Sequence, residues 1–150
     1  MAIITVGTMQ IRYKTILACW LLSIYALVGF STIGRGGIDF YEGTWQQSLA
    51  KAKSEKKKVF VYVYAKWCGQ CKHLKRTSMR DQDVGTYYNK NFINIAIDGE
   101  SAEGSKLRRD INVTSYPTLL ILDDDGKLLT KATGVMKPYI LINFGRRIVP

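Results

Sequence analysis

In Val59-Phe60-Val61-Tyr62-Val63-Tyr64-Ala65-Lys66-Trp67-Cys68-Gly69-Gln70-Cys71-Lys72, an unbroken apolar run gives way to two cysteines three positions apart. Residues 59–65 are β-branched and aromatic, the pattern of a strand buried on both faces. Beyond Gly69 the spacing predicts a helix over 69–80, with Leu74 and Met79 turned inward. Cys68 therefore falls where a strand ends and a helix begins. There it meets unpaired backbone N–H groups and the positive end of the helix dipole, and both favour thiolate over thiol. Cys71, one turn later, is within reach to close a disulfide. That is the minimum equipment for reversible dithiol–disulfide chemistry.

Around this motif the composition is that of a folded domain. The chain has 150 residues, 47% hydrophobic and 23% charged, enough for a core and too apolar for disorder. Three cysteines are too few for a disulfide-stapled scaffold. The net charge of +10 suits acidic partners or anionic head groups, or reflects solvated lysines. No basic cluster is interleaved with aromatics in a nucleic-acid pattern, which argues against nucleic acid as a partner.

Residues 15–33 contain no charged side chain and match the length a helix needs to span a bilayer. Arg12 and Lys14 precede the run, so the positive-inside tendency keeps residues 1–14 cytoplasmic and sends the rest across. The run reads as an uncleaved signal anchor or as a cleavable signal peptide. Cys19 within it reads as a small hydrophobe. Gly34-Arg35-Gly36-Gly37 marks a flexible linker over 34–39, and residues 40–150 form the domain.

Thr44 has the look of an N-cap, and Trp45, Leu49, Ala50 and Ala52 give helical spacing to residue 53. Lys56-Lys57-Lys58 suits that helix's C-terminal dipole, with partner steering as the other use. Asp81-Gln82-Asp83 opens a short helix through Val84, Tyr87 and Tyr88. Strands are predicted over 92–97, 118–122 and 127–131, with a polar helix over 101–110. Asp123-Asp124-Asp125-Gly126 forms a hairpin turn and lacks the ligand spacing of a calcium loop. Pro138 suits the first turn of a last helix, with Ile140, Leu141 and Phe144 inward. Strand–helix–strand order implies parallel pairing and the hairpin an antiparallel part. The fold class is α/β, a mixed central sheet with helices on both faces, preceded by one hydrophobic helix.

With Trp67-Cys68-Gly69-Gln70-Cys71-Lys72 after the first strand and Tyr116-Pro117-Thr118 opening a later one, residues 40–147 resemble the thioredoxin superfamily. They are similar to its exported, membrane-anchored branch of thiol–disulfide interchange proteins, which includes the C-terminal domain of a bacterial transmembrane electron carrier. The resemblance implies a thioredoxin-like fold and a thiol–disulfide oxidoreductase that reduces or exchanges disulfides of exported proteins. It implies Cys68 as the exposed nucleophile and Cys71 as the buried resolving thiol. It implies Trp67 packed beside the pair and Gly69-Gln70 as the dipeptide that tunes the redox potential. Pro117 matches the family's cis-proline, and the backbone of Tyr116 before it would pair with an extended substrate segment. The implied partners are protein thiols and disulfides, an upstream membrane electron donor, and the membrane through residues 15–33. No cofactor or metal is expected beyond the Cys68–Cys71 couple. The implied location is the bacterial inner membrane with the domain in the periplasm, or the periplasm alone if the N-terminal run is cleaved.

Tyr62 stands where thioredoxin carries a buried acid, and Asn94 where it carries a partnering lysine. Cys71 is thereby left without an obvious base. His73, two positions away on the helix, points elsewhere. The competing reading is a thioredoxin-fold copper chaperone or haem-maturation partner, since two thiolates can hold Cu(I). Met79 and His73 are isolated and complete no such site. Zinc would need two further ligands.

Overall fold

The computed structural model describes residues 36–150, so the expected membrane segment over 15–33 lies outside the described residues. Among the described residues, no helix is long and apolar enough to cross a membrane. The elements run α1 (Trp45–Glu55), β1 (Lys58–Tyr64), α2 (Gly69–Arg76), a 3-10 turn (Ser78–Arg80), α3 (Gln82–Asn91) and β2 (Phe92–Asp98). They continue with α4 (Ala102–Ile111), β3 (Thr118–Leu122), β4 (Leu128–Thr133) and α5 (Pro138–Arg146). The sheet order is β2-β1-β3-β4. β1 runs parallel to β2 and antiparallel to β3, and β3 and β4 form the hairpin. This is the mixed sheet expected from the element order.

Strand alternation divides the core in two. Phe60 and Tyr62 of β1, with Leu119 and Ile121 of β3, face Leu74 of α2, Val84 and Tyr88 of α3, and Leu141 and Phe144 of α5. Val59, Val61 and Val63, with Ile93, Ile95 and Leu120, face Ala52 of α1 and Leu107 of α4. Each fully buried aliphatic or aromatic side chain contributes about 1.5–3 kcal/mol relative to exposure. β1 is thus covered on both faces, and its C-terminal end is held rigidly where the cysteines follow.

Several local expectations are corrected. The helix predicted over 69–80 breaks at Thr77, whose Oγ1 donates to the His73 carbonyl at 2.9 Å. The backbone leaves helical geometry at Thr77 (φ −110°, ψ −95°), and Ser78 Oγ then donates to the distant Met136 carbonyl at 2.6 Å. Leu74 and Met79 are buried as expected. On α1, Ala50 is exposed and Ser48 takes the buried place, its hydroxyl donating to the Trp45 carbonyl at 2.7 Å. Thr44 does cap α1, in a capping box with Gln47. On α5, Leu141 and Phe144 face inward, while Ile140 lies a third of a turn away and is 38% exposed. The acidic triplet builds the turn: Asp123 Oδ1 accepts from the backbones of Asp125 and Lys127, and Asp124 and Asp125 pair with Lys58 and Lys53.

The expected linker over 34–39 does not stay free at its C-terminal end. Ile38 is buried, and its N–H donates to the Met79 carbonyl at 2.7 Å. Asn89 Nδ2 donates to the Gly37 carbonyl at 3.0 Å, and the Tyr41 N–H donates to the Asn94 carbonyl at 2.7 Å. Gly37 lies at φ +108°, and a Cβ on Gly85 of α3 would overlap its backbone. Two glycines let the segment press against the helix, and Ile38 locks it there. The glycine run signals flexibility only when its apolar neighbour is ignored.

Candidate functional site

β1 ends at Tyr64, and the Ala65 carbonyl accepts the Cys68 N–H at 3.1 Å, closing the turn into α2. Cys68 is the N-cap of that helix, with extended backbone (φ −71°, ψ 107°). Its Sγ accepts the Cys71 N–H at 3.0 Å. A sulfur here does what a Ser or Asp oxygen does at other helix starts. Cys68 and Cys71 are joined in a disulfide, with S–S 2.12 Å and Cα–Cα 5.3 Å. The expected exposed nucleophile is in fact largely covered. Cys68 is 5% exposed and Cys71 1%, because the joined sulfurs tuck under the first turn of α2 into the Phe60/Tyr62 core. The order of accessibility, Cys68 before Cys71, remains.

Beneath the pair lies Tyr62. Its hydroxyl donates to the Cys71 carbonyl at 2.8 Å. The ring stacks on Tyr64 (centroids 5.4 Å) and meets Phe40 at 6.1 Å. Burial, and secondarily Tyr64, pushes the Tyr62 phenol well above its ordinary range. Where the family carries an acid, this chain places a neutral hydroxyl bound to the backbone of the resolving cysteine. Asn94 does not join it. β1 pairs Tyr62 with Ala96 and Phe60 with Asn94. Asn94 Nδ2 instead donates to the Asp39 carbonyl at 3.3 Å and to Asn89 Oδ1 at 3.1 Å, so it serves the packed segment before α1.

The Tyr116–Pro117 peptide bond is cis, as the resemblance implied. Thr118, the next residue, pairs with Val63 of β1, which sets Pro117 at the sheet end where the cysteines emerge. The Tyr116 ring stands edge-on to Trp67, centroids 6.0 Å apart. Its hydroxyl accepts from Arg108 Nη1 at 2.7 Å. Gly99 makes this possible, since a Cβ there would overlap the Tyr116 ring. Trp67 is 68% exposed and donates through Nε1 to Glu100 Oε2 at 3.0 Å. Arg108 and Glu100, which orient these two aromatics, carried no signal in the sequence. Gly69 faces open space, and Gln70 and His73 are exposed.

Behind Cys71 opens a cleft of about 250 Å³, walled by Tyr62, Tyr64 and Cys71 and rimmed by Lys66, Lys72 and Lys75. A larger cleft of about 310 Å³, beside Asp39, Lys51 and Asn94, is remote from the sulfurs. Among the described residues, no three His, Cys, Asp or Glu side chains cluster as a metal site.

A cysteine that caps the helix leaving a central strand, bonded to a second cysteine one turn on and set beside a cis-proline, defines a thioredoxin-fold thiol–disulfide site. The chain belongs to the thioredoxin-like domain family, whose pattern it matches over residues 45–147. It is 31% identical over 106 residues to the thiol:disulfide interchange protein DsbD of Actinobacillus pleuropneumoniae, covering 65% of this chain and 18% of that protein. It is 33% identical over 94 residues to the DsbD of Yersinia enterocolitica, covering 61% and 16%. The chain thus spans less than a fifth of the length of these relatives. Among solved structures, a Bacteroides thetaiotaomicron protein described as a candidate disulphide isomerase superposes with TM-score 0.67 at 33% identity, covering 75% of this chain and 93% of that one. The oxidised C-terminal domain of Neisseria meningitidis DsbD shares the fold, with TM-score 0.60 at 19% identity, covering 73% and 98%.

Proposed function

We propose that the protein is a thiol–disulfide oxidoreductase that reduces or exchanges disulfides of exported proteins through Cys68 and Cys71. The observation that carries this is the Cys71 N–H directed at Cys68 Sγ at the start of α2. On reduction, that N–H and the helix dipole stabilise a thiolate at Cys68. The thiolate attacks one sulfur of a substrate disulfide, and the other sulfur leaves as a thiolate that takes a proton. Cys71, deprotonated, then attacks Cys68 Sγ. The second substrate thiol is released, and the two electrons lost by the protein reside in the reduced substrate. Tyr116 and Trp67 line the approach to Cys68. The couple itself is the redox group, and an upstream membrane dithiol donor restores it.

The proposed seat is the bacterial inner membrane, with residues 15–33 as anchor and the domain in the periplasm. The uncharged run and the similarity to interchange proteins support it. N-terminal sequencing of the exported chain tests the anchor: a mature protein starting beyond residue 33 would make the run a signal peptide.

Insulin reduction by the full chain in a non-ionic detergent tests the chemistry. Cys68→Ser is expected to abolish it. Cys71→Ser is expected to accumulate mixed disulfides with partners, and Cys68→Ser is not. Unchanged turnover in Cys68→Ser would sink the assignment.

A further inference from the structure

The helix that carries the cysteines is basic along its length. α2 holds Lys72, His73, Lys75 and Arg76 and no acidic residue. Among the described residues, Lys72, Lys75 and Arg76 make no ion pair, whereas Lys51 and Lys57 pair with Glu55, Lys53 with Asp125 and Lys106 with Asp110. Lys66 is exposed and only loosely placed, 3.8 Å from Asp98. Two acids, Asp98 and Glu100, lie on the Trp67 side of this face. Asp98 Oδ1 accepts the Glu100 N–H at 3.1 Å, and Glu100 Oε2 accepts the Trp67 indole. Lys72 and Lys75 therefore stand at the cleft by Cys71 without an ion pair, Lys66 on the same rim pairs only loosely with Asp98, and the indole that precedes Cys68 in the chain is exposed.

We infer that this face docks an acidic, extended polypeptide segment that carries the disulfide to be exchanged. Carboxylates of the segment meet Lys66, Lys72 and Lys75, and an apolar side chain next to its cysteine rests on Trp67. The inference rests on the redox reading and adds the partner's chemistry to it. Unpaired cations focused at a cleft raise the local concentration of an oppositely charged partner and speed its encounter. A polypeptide fits this face better than a lipid surface does. Exchange needs a partner sulfur to approach the Cys68–Cys71 sulfurs, and a bilayer laid over these lysines would cover them.

The test compares three synthetic peptides, each with one internal disulfide flanked by Asp/Glu, by Asn/Gln or by Lys/Arg. Each is reacted with the reduced full chain in a non-ionic detergent. At about 20 mM salt the acidic peptide is expected to react at least about tenfold faster than the basic one. At about 0.5 M, where the screening length falls to a few ångströms, the gap closes. In Lys72→Gln/Lys75→Gln the acidic-to-basic rate ratio falls toward one. Equal rates for the peptides, or a ratio indifferent to both salt and the double variant, overturn the proposal. It is also overturned in favour of lipid if the peptides react alike and phosphatidylglycerol vesicles, but not phosphatidylcholine vesicles, shield Cys68 from a neutral disulfide. A chain that reduces a small neutral disulfide but treats the peptides alike loses only the docking inference. A chain that cannot reduce even the small disulfide loses the redox reading as well.

Discussion

Tyr62→Phe removes one hydroxyl and keeps the ring among Phe40 and Tyr64. That hydroxyl donates to the Cys71 carbonyl at 2.8 Å, and the residue is 1% exposed. A buried neutral hydrogen bond contributes about 0.5–1.5 kcal/mol net. The carbonyl keeps the regular bond of the α2 ladder, so it is not stranded without a donor. The expected loss is about 1 kcal/mol, or roughly 4 °C in melting temperature for a domain of this size. Thermal unfolding followed by circular dichroism, with the disulfide intact, reads it. The bond ends on a backbone oxygen present in both redox forms, so its loss falls on both. The potential of the Cys68–Cys71 couple should move by less than about 10 mV, which is about 0.5 kcal/mol for two electrons. An unchanged melting temperature together with a shift beyond about 30 mV would show that the hydroxyl acts on sulfur, and would refute this account.

Gly85→Ala drives a methyl into the Gly37 backbone and is expected to cost about 1–3 kcal/mol, despite alanine's better helix propensity. Gly69→Ala, which enters open space, is the control, and urea midpoints separate the two. The phenols of Tyr62 and Tyr88 are both raised by burial, so the unfolded chain releases their protons first. Their stabilising contribution is complete below about pH 10 and is lost as pH rises above it. Urea unfolding at about pH 8 and about pH 11 should show the drop in wild type and a smaller one in Tyr62→Phe. Equal drops would remove Tyr62 from that account.

The motif over residues 59–72 revealed the fold because its two halves obey different periods, and the change of period marks the strand–helix junction at which Cys68 stands. The cysteine pair and Tyr116-Pro117 were legible for the same reason: each is a local pattern with a fixed geometric consequence. What escaped was long-range. Glu100 orients Trp67 from 33 positions along the chain, and Arg108 reaches Tyr116 only because the turn after α4 folds back. No local pattern encodes such contacts. Tyr62 stands openly in the sequence where thioredoxin carries an acid, but its bond to Cys71 depends on how α2 packs on β1. At Gly36-Gly37-Ile38, composition alone does not distinguish a flexible glycine from one required for close approach. The predicted helix ends at Thr77, and the Ser78 hydroxyl that follows finds its acceptor, the Met136 carbonyl, only in the tertiary structure.

The buried polar side chains outside the aromatic core are Ser48, Ser78, Asn94 and Thr118, with no carboxylate, amine or imidazole among them. The chain's one histidine is exposed. Between mild acid and the onset of phenol ionisation, the described interior holds no proton-exchanging group except its own sulfurs. A curve of exchange rate against pH measured with a neutral disulfide is then free of the overlapping step that a fully buried acid would impose.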